Sequence, residues 1–144
     1  LFVGRVGAPE IWTLMRRSAA GLVCVKNSPD FLASIPNKIP EYLSGGLPMA
    51  INFPSGAVFD LLQEHRIGTS YAEDAGRLAD WILHLHDHPD ERRAMSQRAR
   101  RLFEERFTAR KVYADVIGHL DEVREGYRSG PLDRRRDQQR SGSE

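Results

Sequence analysis

The sequence predicts an α/β protein: a parallel sheet with crossover helices, then a run of helices, then a disordered carboxy-terminal tail. Three observations carry this. Short apolar runs ending in β-branched residues alternate with segments of helical periodicity. From Tyr71 onward the apolar residues follow helical spacing alone. From Ser129 the chain reads SGPLDRRRDQQRSGSE, polar and almost without apolar residues. The expected division is one ordered domain over 1–126 and a tail over 127–144.

Taken in order, residues 1–6 form a short apolar run closed by Gly4 and Gly7, expected to be a buried strand. Pro9 and Glu10 open a helix carrying Ile11, Trp12, Leu14 and Met15. Residues 19–25 (AAGLVCV) read as a strand buried on both faces, and 26–35 as loop. Pro40 lacks an N–H and is tolerated only in a first turn, so a helix starts near Pro36 or Asn37, with Asn37 its expected cap. Gly45 and Gly46 stop it. A strand at 48–52 follows, then a turn at 53–56. Ser55 is placed to cap the next helix, over 57–64, ahead of a short strand at 66–70. Leu78, Trp81, Ile82 and Leu85 are spaced i, i+3, i+4, i+7. Pro89, Asp90 and Glu91 start another helix with Met95, Leu102, Phe103 and Phe107 as its seam. Thr108 caps a last one, carrying Val112, Tyr113, Val116, Ile117, Leu120 and Val123.

The balance of 21 basic and 20 acidic residues over 144 leaves a formal charge of +1, which excludes a whole-domain electrostatic grip on nucleic acid. One cysteine, Cys24, excludes an intrachain disulfide and a multi-cysteine zinc site, and makes a reducing, cytoplasmic location the default. No apolar run reaches the ~18–20 residues needed to cross a bilayer, and no signal peptide is visible. The chain opens on Leu1 rather than methionine, already in an apolar run, and is expected to be a fragment of a longer protein.

The most informative stretch is 36–46. A helix start exposes unpaired N–H groups and partial positive charge, a ready anion site. Lys38 adds a full charge beside it. Glu41 lies one turn in, and helical side chains lean toward the amino end, so its carboxylate approaches the same ligand. Such a cradle suits a nucleoside diphosphate: Asn37 and Lys38 with the phosphates, Glu41 accepting from ribose hydroxyls, and Ser55 and Gly56 presenting a second helix start. The plain structural reading is that Glu41 complements its own helix dipole and Lys38 is solvated.

The segment PNKIPEYLSGGLPMAIN resembles the sugar-nucleotide loop and helix of GT-B glycosyltransferases of the family 4 type. The likeness extends to LFVGRV and AAGLVCV before it, and to residues 55–68 and LADWILHLHDHPDERRAMSQRAR after it. It covers about residues 1–123. It implies a partial Rossmann-like donor lobe that binds a nucleoside-diphosphate sugar for transfer to an acceptor, with no metal or other cofactor. Glu41 matches the later glutamate of the family's pair, which holds the donor ribose. The earlier one falls eight positions before, at Ala33. Asn37 and Lys38 match one branch of the family, with Ile35 intervening. The resemblance also implies a missing amino-terminal acceptor lobe that would hold the acceptor-activating group, so the isolated chain is expected to be inactive. Two other readings stay open: a non-catalytic remnant or interaction domain, and another Rossmann-like binder of sugar nucleotides such as an epimerase.

Elsewhere, His84 and His88 share a helix face, a weak zinc pair or simply a polar helix end. The arginines between 92 and 101 read as a solvated, salt-bridged face or as a peripheral contact with anionic lipid at the inner face of a membrane. Arg134, Arg135 and Arg136 are bracketed by Asp133 and Asp137, as in a plain soluble tail. Cys24 is expected to be a buried, inert thiol, and Trp12 and Trp81 to be core.

Overall fold

The computed structural model describes residues 4–26 and 28–128. Helix α1 (Ala8–Arg17) begins with Pro9 in its first turn and Glu10 beside it, and ends on Arg16 and Arg17, so its charges match the helix dipole at both ends. Strand β1 (Gly21–Val23) follows. Helix α2 (Pro29–Leu32) is a single turn started by Pro29 within the stretch expected to be loop. Helix α3 (Lys38–Ser44) lies where Pro40 and the glycine pair require it. Strand β2 (Met49–Ile51), helix α4 (Ala57–His65) and strand β3 (Gly68–Ser70) complete the α/β part. Helices α5 (Ala75–Asp87) and α6 (Pro89–Leu102) follow. A π-helical turn (Phe103–Phe107) leads to α7 (Ala109–Arg128). Of the strand expected at 1–6, residues 1–3 lie outside the described residues and 4–6 form no strand. Where a disordered tail is expected from 127, the helix continues as far as Arg128, and the remainder lies outside the described residues.

The three strands are parallel in the order β1-β2-β3, with Gly21 opposite Met49 and Met49 opposite Gly68. Parallel neighbours need crossovers, and α3 and α4 supply them. Side chains alternate along a strand, so Val23, Met49 and Ile51 share one face. Ile39 and Leu43 of α3, Val58 and Leu62 of α4, and Ala99 and Leu102 of α6 close a core over it. Full burial of each such aliphatic side chain stabilises by about 1.5–3 kcal/mol. The opposite face of β1 is not covered: Leu22 is 45% exposed and Cys24 is exposed. The expectation of a doubly buried β1 and a buried Cys24 is therefore corrected. β1 ends the sheet among the described residues, and an end strand lacks a neighbour to carry helices over both its faces.

Two helix ends show how the strands are positioned. At the end of α3, Gly46 takes φ +66, the Leu47 N–H donates to Tyr42 O and the Gly46 N–H donates to Leu43 O. This is a Schellman closure, and it turns the chain directly into β2. The same pair of bonds ends α4, from Ile67 to Leu62 and from Arg66 to Gln63, but Arg66 occupies the left-handed position at φ 50. Its carbonyl accepts from both Nε and Nη2 of Arg98, at 3.0 and 2.8 Å. At β3, a Cβ on Gly68 would stand 2.1 Å from Met49 O and 2.2 Å from Leu62 Cδ2. Only glycine lets α4 and β2 approach β3 this closely.

The chain forms two compact units, Leu1–Phe107 and Thr108–Glu144. In the second, the Lys111 N–H donates to Thr108 Oγ1 at 3.4 Å, as a first-turn cap does. The apolar residues of α7 from Val112 to Tyr127 are all exposed. In the first, α5 contributes Leu85 to the buried set while Ile82 is 53% exposed, and Trp12 is 46% exposed rather than core. Helical spacing identifies a stripe, but what covers the stripe is a matter of packing. Among the described residues no helix is long and apolar enough to cross a membrane.

Candidate functional site

In a parallel sheet the loops leaving the strands' carboxyl ends gather along one edge, where the following helices begin. Here that edge is built from residues just past β1, β2 and β3. Asn52, buried and directly after β2, donates its Nδ2 to Val25 O at 2.8 Å and accepts the Val25 N–H on Oδ1 at 3.1 Å. The side-chain amide thus acts as one more rung beyond the end of the β1–β2 ladder, which fixes where the β1 loop departs.

Tyr71, just past β3, reaches across to β1, where its hydroxyl lies 3.1 Å from Cys24 Sγ. Burial pushes the Tyr71 hydroxyl up to about 12, reinforced by the Cys24 hydrogen bond, by Cys24 charge and by Glu73, so the phenol stays protonated. Ala72 and Glu73 follow with φ 47 and 64, and the Asp74 N–H closes the turn on Tyr71 O at 2.8 Å. Two consecutive non-glycine residues in the left-handed region are costly, by about 1–2 kcal/mol each. They are held between the Cys24 contact and the Asp74 cap, whose carboxylate accepts from the Gly76 and Arg77 amides.

Helix α3 packs on β1 through Tyr42. Its ring lies over Gly21, and its hydroxyl donates to Leu22 O at 3.3 Å. Burial first, then the Glu41 and Cys24 charges, raise the Tyr42 hydroxyl above its ordinary value. Cys24 is therefore an electrostatic neighbour of both Tyr42 and Tyr71.

The residues chosen from sequence are arranged differently from expectation. Asn37, Lys38 and Glu41 are exposed on the first turn of α3. Asn37 does not cap: its own backbone is helical, at φ −54 and ψ −28, and its side chain accepts no capping bond. The Ile39 N–H already donates to Pro36 O, Pro40 has none to offer, and the Glu41 N–H donates to Asn37 O. Among the described residues, the Asn37 and Lys38 N–H groups have no acceptor in that turn.

Ser55 does not cap α4 either. The cap position is Gly56, at φ 103, and no side chain bonds the first amides. The first backbone bond of α4 runs from the Asp60 N–H to Gly56 O, so the Ala57, Val58 and Phe59 amides have no partner among the described residues. Glycine is required there twice over, for its positive φ and because a Cβ would also stand 2.5 Å from Leu32 O. That contact sets the chain leading into α3 beside the start of α4.

Sequence reasoning missed Asn52, Tyr71 and the strained turn at Ala72 and Glu73. Asn52 carried a faint signal, a lone amide between an apolar strand and Phe-Pro. Nothing local links Cys24 with Tyr71, 47 positions away. His84 and His88 do share a face, with rings stacked at 4.2 Å, and His84 Nε2 pairs with Glu91 at 2.9 Å. Arg93 pairs with Asp90 and Arg100 with Glu104, the salt-bridged face the sequence suggests.

A family model described as glycosyl transferase-like matches residues 1–118. No curated protein and no solved structure matches the chain significantly.

Proposed function

The chain belongs to the glycosyl transferase-like family, and from that premise we propose that its strand-carboxyl edge binds a nucleoside-diphosphate sugar as the donor for glycosyl transfer. The observation that carries this reading is the start of α4, where three consecutive amides lack protein partners beside the chain that delivers Lys38 and Glu41. Such a helix start favours an anion through both its free donors and its dipole.

The diphosphate takes the α4 amides behind Ser55 and Gly56, with Lys38 adding a mobile full charge from α3. The Glu41 carboxylate accepts from the ribose hydroxyls. When the glycosidic bond to phosphate breaks, negative charge builds on the diphosphate, and donors already in place stabilise it without reorganising. Glu41 positions the nucleoside and does not attack the sugar. In this reading the chain is the donor lobe of a GT-B-type enzyme, and the group that activates the acceptor belongs to another lobe.

Calorimetric titration of the purified chain with UDP and GDP tests the reading. One of them is expected to bind, and Glu41→Ala to weaken it about 10–100-fold, the worth of a charged hydrogen-bond acceptor. No binding at millimolar nucleotide, or binding indifferent to Glu41, returns the chain to a non-catalytic remnant of the family.

A further inference from the structure

A second feature lies at the other end of α3, away from the strand-carboxyl edge. A cavity of about 770 Å³ opens between α1, the Schellman turn after α3 and α6. Sites for small molecules span about 300–1,000 Å³. Helical spacing shows how its walls arise. On α6 the lining residues Arg93, Ser96, Gln97, Arg100 and Glu104 recur three and four apart, so one polar face of the helix is turned to the cavity. On α1, Trp12, Met15 and Arg16 are likewise three and four apart. Met15 is buried and, with the buried Leu47 of the turn, makes an apolar floor. A Cβ on Gly46 would stand 3.3 Å from Ser96 O, so the turn lies directly against α6.

The polar groups divide into occupied and open ones. Arg100 bonds Ser44 O and Glu104, and Arg93 pairs with Asp90. Arg101 also lines the cavity. The guanidinium groups of Arg16 and Arg101 have no ion-pair or hydrogen-bond partner among the described residues, and neither has the Gln97 amide. Trp12 is 46% exposed, so much of its indole is open to a ligand in the cavity. An aromatic ring, an apolar floor and two uncompensated cations thus converge on one concave space.

We propose that this cavity is a second ligand site, which takes a soluble nucleoside monophosphate. The base stacks on Trp12 above the Met15 and Leu47 floor, the phosphate meets Arg16 and Arg101, and Gln97 pairs with a polar edge of the nucleoside. Stacking of a base on an indole and charge-assisted bonds from arginine to phosphate are the two strongest contacts these residues can make. Inorganic phosphate or a sugar phosphate would use the arginines and leave Trp12 idle. An uncharged aromatic would leave both guanidinium groups unpaired. A polynucleotide needs an extended basic track, whereas here the positive surplus is confined to one cavity on a chain of formal charge +1. This inference does not depend on donor binding at the opposite edge.

The test uses the full chain carrying Trp81→Phe, which leaves Trp12 as its only indole because the chain holds two tryptophans. AMP, GMP, UMP and CMP are titrated while Trp12 emission is followed. Calorimetry on the unaltered chain runs in parallel, so the result does not hang on the Phe variant. Expected is saturable quenching by at least one of the four, with the matching nucleoside and ribose 5-phosphate each about tenfold weaker or more. Arg16→Ala and Arg101→Ala should each weaken binding about tenfold, and Trp12→Ala about fivefold by calorimetry. All three side chains are exposed, so these variants should unfold at the parent's temperature, which separates lost binding from lost folding. Glu41→Ala should leave the quenching of Trp12 unchanged, which separates this site from the donor edge. Absence of saturable binding by all four nucleotides overturns the proposal. So does ribose 5-phosphate binding as tightly as the nucleotide, or quenching that disappears with Glu41→Ala.

Discussion

Arg66 shows what a single side chain does when a turn demands a conformation its residue type disfavours. The exit from α4 needs a left-handed residue, the position usually filled by glycine. Arginine there carries a steric penalty of about 1–2 kcal/mol, set against the larger unfolded-state entropy that glycine brings. Arg66→Gly is accordingly expected to raise stability by about 0.5–1 kcal/mol, read as a higher urea midpoint at unchanged slope. The bonds from Arg98 end on the Arg66 carbonyl and survive the change. A lower midpoint would mean that the Arg66 side chain contributes more than its exposed position indicates.

At the scale of elements, the decisive contacts are between helix and strand. Helix α4 reaches β3 because position 68 has no side chain, and Ile67 beside it is fully buried. Gly68→Ala forces a methyl into Met49 O and Leu62, and overpacking of this kind destabilises by about 1–3 kcal/mol. Chemical denaturation measures it directly. An unchanged midpoint would falsify this packing account. The same elements show how far a helix can be read from sequence. Pro40 and the Gly45–Gly46 pair place α3 correctly because they act through the local backbone. Which amides at its start are free is not a local matter. Pro36 O takes one, Asn37 O takes another, and the open donors move to α4. Helix α5 was equally legible as a helix, yet of its expected stripe only Leu85 is buried, Leu78 and Trp81 are half-buried and Ile82 is exposed, since periodicity says nothing of what lies opposite.

For the molecule as a whole, two tyrosines set an alkaline limit. Tyr71 is pushed up to about 12 from 10.0, and Tyr42 is raised in the same direction. An acid harder to ionise when folded gives up its proton first in the unfolded chain. The stabilisation is complete below pH 10 and is lost as pH climbs toward 12. Unfolding curves between those pH values should show stability falling, with a shallower fall in Tyr71→Phe. Equal slopes in parent and variant would remove Tyr71 from the account. The same two residues hold β1 to its surroundings, Tyr42 by its outer carbonyl and Tyr71 by the Cys24 thiol. Ionisation is thus expected to loosen the candidate donor edge itself.

Apart from the short α2 and the strand expected at 1–6, the amino-acid sequence alone determined the order of helices and strands, the parallel connection and the resemblance that leads to glycosyl transfer. Those depend on proline, glycine and apolar spacing, whose effects act over a few neighbouring residues. Only the tertiary structure decided that Asn52 locks β1 to β2, that the exposed Cys24 meets the buried Tyr71, and that α4 offers the free amides. Each of these is a meeting of groups far apart along the chain, created when parallel strands and their crossovers bring distant loops to a common edge.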